Sequence, residues 1–148
     1  MPIEAAELSD RAEITDALHR YTIAIDTGEW DRLDSVFTRD AQVDYTESGG
    51  IAGDIATVKP WLAENLPAFS SARMHTLGQV VITFATPRDE AKVTAYFHNP
   101  MVIADAAAGA GATRVVEVGG LYHHSFVRTV RGWRSRRLHE QVVWTRGF

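Results

Sequence analysis

A chain of 148 residues, 45% hydrophobic and 23% charged, has the size of one domain spanning 1–148. Such a chain can bury roughly 68–70% of its unfolded surface without covalent staples. It contains no cysteine, which excludes a disulfide framework, a thiolate zinc site and a thiol nucleophile. The net charge of −4 supplies no electrostatic footprint for a nucleic acid. Neither a basic leader followed by an apolar run nor a stretch of ~18 apolar residues occurs, so a soluble, cytoplasmic protein without a membrane partner is expected.

The first helix is read from Ile14, Leu18, Tyr21 and Ile25, spaced four, three and four apart along one stripe. Ser9 or Asp10 is its expected cap, and Thr27-Gly28 its stop. A short second helix fits Trp30 to Phe37, with Leu33, Val36 and Phe37 on its apolar side. Residues 41–46 alternate in the period of a half-buried strand, and Gly49-Gly50 and Gly53 break it. A third helical pattern covers 54–66, and because proline is tolerated only in a first turn, Pro60 places its expected start near Lys59.

From Arg73 onward the pattern is β-rich, in segments 74–84, 91–105, 113–130 and 133–145, joined at 86–89, 106–112 and 131–132. Helices segregated before strands indicate an α+β fold, with three N-terminal helices on one face of a curved, mostly antiparallel sheet. Residues 1–54 carry 13 acids and 4 arginines, and residues 55–148 carry 6 acids and 11 bases, so the two parts are expected to face each other. The run Arg128, Arg131, Arg134, Arg136 and Arg137 straddles a turn and reads as a solvated hairpin end.

A sheet that curls around a helix leaves a conical cavity, and the chemistry depends on which polar residues point into it. Asp26 lies in the last turn of the first helix, where the negative end of the helix dipole disfavours a carboxylate, and sits beside the buried stripe. The alternative is an exposed acid near a helix end. His75 opens the first long strand and shares parity with Leu77 and Val81. Alone it reads as a structural core histidine. Paired with a carboxylate, one ring nitrogen is fixed as donor and the other is left as a general base. Tyr21 and Tyr45 fall on apolar faces, so both hydroxyls need partners and can hold a substrate oxygen or serve the core alone. Trp61, Phe97, Asn99, Met101, Leu121 and His123 are the inward candidates for substrate contact. The six histidines show no metal-ligand spacing, and no GxGxxG, GxxxxGK[ST] or GxSxG motif occurs, so neither metal nor nucleotide cofactor is expected.

Four strings carry a resemblance over nearly the whole chain: AIDTGEWDRLDSVFTRDAQVDY at 24–45, RMHTLGQVVITF at 73–84, VGGLYHHSF at 118–126 and RGWRSRRL at 131–138. With helices first and then the meander, the chain resembles the SnoaL-like branch of the NTF2-like superfamily. It is most similar there to scytalone dehydratase, bile acid 7α-dehydratase and hexachlorocyclohexane dehydrochlorinase. These are cofactor-free eliminating enzymes, and their Asp-His pair falls here on Asp26 and His75. Tyr45 matches the pocket tyrosine of both dehydratases, and Tyr21 the helix tyrosine of the bile acid enzyme.

The resemblance thus implies a lyase acting on a small cyclic hydroxy-ketone of sterol or polyketide type. An isomerase or cyclase, and a ligand-binding domain without chemistry, are the alternatives. It also implies a homo-oligomer, a trimer as in the eliminases or a dimer as elsewhere in the superfamily. Other pocket residues depart from the pattern. The second histidine of scytalone dehydratase falls on Ile103, its Ser and Asn near Leu121 and His123, and the last-strand arginines of the other two enzymes near Leu138 and Val142. A substrate different from theirs is therefore expected.

Overall fold

The computed structural model describes residues 2–148. Its first helix, α1 (Ala5–Thr27), begins a turn earlier than the expected cap, at Glu4, which makes no side-chain capping bond. Ala5, Ala6, Glu7 and Leu8 are strong helix formers and extend the helix unaided. Asp10 is not a cap because its carboxylate is engaged elsewhere. It accepts from Arg88 Nε at 2.7 Å, Arg128 Nη1 and Nη2 at 3.0 and 2.8 Å, and Trp133 Nε1 at 2.9 Å. The acidic early chain and basic late chain therefore do meet.

The expected second helix is instead a 3-10 helix over Trp30–Ser35. The strand after it starts four residues early, as β1 (Phe37–Asp44). Strand β2 (Ala52–Asp54) leads directly into α2 (Ile55–Phe69). This helix starts ahead of Lys59 because the Asp54 side chain caps it, accepting from the Thr57 N–H at 2.8 Å. Pro60 and Pro67 consequently lie inside α2. Pro60 deprives the Ala56 carbonyl of its helical donor, and exposure of both residues lets water replace it.

The remaining strands are β3 (Ala72–Arg73), β4 (Thr76–Phe84), β5 (Glu90–Ala104), β6 (Thr113–Thr129) and β7 (Gly132–Arg146). The sheet runs β2-β1-β7-β6-β5-β3, with β4 further along the same edge of β5 as β3. It is antiparallel except where β1 pairs with β7. Register shifts at Leu77/Val80, Gly119/Gly120 and Ser125/Phe126 mark bulges, which bend the long strands and curl the sheet into a half-barrel.

Helix α1 lies across the concave face. Ile14 and Leu18 meet Val93, Phe126 and Trp133 in one buried cluster, while Tyr21 and Ile25 belong to a second cluster with Val43, Phe97 and Tyr122. The second borders a cavity. Among the described residues no helix is long and apolar enough to cross a membrane.

Candidate active site

The last turn of α1 is fixed by Gly28, whose positive φ of 73° lets its N–H close back on the Ala24 carbonyl. Arg73 reinforces the same end: Nε donates to the Ile25 carbonyl at 3.1 Å and Nη1 to the Ser70 carbonyl and Oγ at 3.2 and 3.1 Å. A cation thereby meets the negative end of the helix dipole and ties α1 to the exit from α2.

Between β3 and β4 the Met74 N–H still donates to the Pro100 carbonyl of β5 at 3.2 Å, but the ladder skips His75, which frees its amide. That amide donates to Asp26 Oδ2 at 2.7 Å, and His75 Nδ1 lies 2.6 Å from Asp26 Oδ1. The side chains of His75 and Asp26 are only 5% and 16% exposed. A carboxylate only accepts, so the ring proton sits on Nδ1 and Nε2 keeps the free lone pair.

The His75 ring borders a cavity of about 420 Å³ beside the second cluster. Its ring centre is 6.3 Å from those of Phe97 and Tyr122, which stack on each other at 4.2 Å. Tyr21 and Tyr45 enter from α1 and the end of β1, and their hydroxyls hydrogen-bond to each other. Burial holds both phenols well above their ordinary value, so both remain protonated.

Of the expected contact residues, Trp61, Phe97, Asn99 and Met101 line this cavity. Leu121 and His123 do not. Phe97 pairs with Gly120 and Ala95 with Tyr122, so inward residues have odd numbers on β5 and even numbers on β6. Leu121 and His123 therefore face outward, where His123 Nε2 pairs with the Gln141 side chain at 2.8 Å. His124, the inward neighbour, is buried, which pushes its ring down to about 3 and keeps it neutral in the core.

The same parity brings in two polar residues that the sequence reading missed, Tyr122 and Glu140, which pair across β6 and β7. Glu140 is 7% exposed, and burial raises its carboxyl above the ordinary range, the Ser48 hydroxyl pulling the other way. Its signal was available: Glu140 shares alternate-residue parity with the apolar Leu138 and Val142 on either side. Among the described residues no group of His, Asp or Glu side chains is arranged to hold a metal ion.

The chain is thus a curled α+β half-barrel closed by a long helix, with a cavity at one end. The SnoaL-like domain model matches residues 6–139, and the chain belongs to that family. Its structural neighbours include an NTF2-like superfamily protein of Salmonella enterica, with a TM-score of 0.76 at 16% identity over 95% of this chain and 96% of that one. An uncharacterized protein of Mycobacterium tuberculosis is 37% identical over 91% of this chain and 86% of its own. A candidate scytalone dehydratase of Novosphingobium aromaticivorans superposes with a TM-score of 0.80 at 17% identity, covering 96% of this chain and 89% of that one. A hexachlorocyclohexane dehydrochlorinase also reaches 0.80 at 17%, covering 94% and 88%. At that identity the likeness is one of fold.

Proposed function

We propose that the protein is a cofactor-free lyase that removes water from a small cyclic hydroxy-ketone. The observation that carries this reading is the bond from His75 Nδ1 to Asp26, which leaves Nε2 as a base at the cavity wall. Nε2 takes the proton α to the carbonyl, and Asp26 stabilises the imidazolium that forms. The electron pair of the C–H bond moves onto the carbonyl oxygen and then into the new C=C bond as the C–O bond breaks. The imidazolium returns its proton to the departing hydroxide, so water leaves and the protein is unchanged. In the Tyr21–Tyr45 pair one hydroxyl donates to the other, and the second proton remains for the enolate oxygen or the leaving group. The dehydratase and dehydrochlorinase activities named for proteins of the same fold support elimination as the reaction class. The test is to screen cyclic β-hydroxyketones for appearance of the conjugated enone, with chelator present. Turnover that His75→Ala abolishes supports the reading, and turnover undiminished in that variant refutes it.

The outer face of the sheet supports self-assembly. Val81, Tyr96, Val115 and Trp144 are 43–63% exposed there, beside the outward Leu121. We propose that a second copy covers this face in a homo-oligomer, a trimer or a dimer. Light scattering at micromolar concentration checks it, and a monomer contradicts it.

A further inference from the structure

Two side chains at the cavity wall present polar atoms that no group among the described residues satisfies. Glu140 Oε1 and Asn99 Oδ1 are buried and have no hydrogen-bond partner among the described residues. Their residues are 7% and 8% exposed, and both line the cavity. A buried acceptor left without a donor is costly, so a pair of them at one cavity is a demand on the ligand.

The two stand at separate places. Asn99 pairs with Val118, and Glu140 with Tyr122, so the two are offset by four residues, roughly 13 Å, along β6 and by two strand spacings, roughly 10 Å, across it, about 16 Å at the backbone. Both side chains shorten that gap by reaching inward, and the Phe97 and Tyr122 rings, stacked face to face, stand as an aromatic pair at the wall between them. No lysine or arginine lines the cavity among the described residues, and the Asp26 carboxylate lies directly behind His75. An anionic ligand would find no counter-charge and would confront two carboxyl groups.

We propose that Glu140 and Asn99 select the ligand class: a neutral ring compound with a hydroxyl at each of two separated positions and no carboxylate or phosphate. The hydroxyls donate to Glu140 Oε1 and Asn99 Oδ1, and the ring lies against Phe97 and Tyr122. This inference rests on the reading that the cavity is the substrate site, and it is independent of the elimination step.

Three probes of matched shape test it by titration calorimetry: 1,4-benzenedimethanol with two donors, 4-methylbenzyl alcohol with one, and terephthalate with two carboxylates. None of them can eliminate water to an enone, so the result is separate from turnover. A protein that ranks the probes as follows but never turns over a ketone keeps this inference and loses the lyase reading. The diol is expected to bind about tenfold tighter than the monoalcohol, and terephthalate at least about tenfold weaker than the diol. Glu140→Leu removes one acceptor, and the advantage of the diol over the monoalcohol then disappears. Asn99→Leu gives the same loss from the other end. The ranking in the unaltered protein stands even if one variant fails to fold. Terephthalate binding as tightly as the diol, or no binding of the diol at millimolar concentration, overturns the proposal.

Discussion

Replacing Asp26 by asparagine isolates what the carboxylate does for His75. Asp26 accepts two hydrogen bonds from one residue, the backbone N–H at 2.7 Å and ring Nδ1–H at 2.6 Å. Asparagine offers one carbonyl oxygen and one NH₂, so one of the two donors must meet another donor. The backbone N–H cannot change, but the ring can move its proton to Nε2 and accept at Nδ1. The variant therefore keeps the shape of the site while Nε2 loses its lone pair. Each of the two hydrogen bonds to a charged group, about 1.5–3 kcal/mol, is exchanged for a neutral one of about 0.5–1.5, for a net loss of about 2–3 kcal/mol in all. In a chain of this length that lowers Tm by about 4–12 °C. The assays are nitrogen-15 NMR of the His75 ring for the tautomer and a thermal melt for the stability. A ring that keeps its proton on Nδ1, with Tm within about 1 °C of the unaltered protein, refutes the argument.

Asp10→Ala leaves the fully buried Trp133 indole N–H without its acceptor, an expected loss of about 1–3 kcal/mol in urea unfolding at neutral pH. Arg128 first, with Trp133 and Arg88, holds the Asp10 carboxyl well below its ordinary 3.8. Its electrostatic contribution is thus present above that value and fades as pH falls toward the folded-state value, so the gap between Asp10→Asn and the unaltered protein should narrow in acid. A gap independent of pH contradicts this account. Gly120→Ala would place Cβ 2.0 Å from the Gln141 carbonyl oxygen and 3.0 Å from the Phe97 ring, forcing β6 and β7 apart. The expected destabilisation is about 3 kcal/mol or more, at the upper end for overpacking, and a neutral result in urea unfolding contradicts the described close approach.

The α+β class was legible because apolar periodicity switches from helical to alternating near Arg73, and periodicity reports burial directly. Parity failed between strands. Along β5 the inward residues Phe97, Asn99 and Met101 follow from alternation alone, but which face of β6 meets them depends on the loop at 106–112. The expected Leu121 and His123 have the parity that the register turns outward, while Tyr122 and Glu140, on the inward parity, were missed. Helix boundaries failed where a side chain had two possible uses. Asp10 has the chemistry of a cap, yet its partners Arg88, Arg128 and Trp133 lie far along the chain. Asp54 does cap α2 and overrides the signal of Pro60. The contact between Asp26 and His75 spans 49 residues, and only the interruption between β3 and β4 frees the amide that completes it.

The central claim is that His75 moves a proton at carbon. Its most direct test follows, by proton NMR in D₂O, the exchange of the α-hydrogens of a cyclic β-hydroxyketone with the unaltered protein and with folded His75→Ala. Exchange is expected to be faster than in buffer by about 10²–10⁴-fold with the unaltered protein and at the buffer rate with the variant. Equal exchange by both proteins would remove His75 as the base.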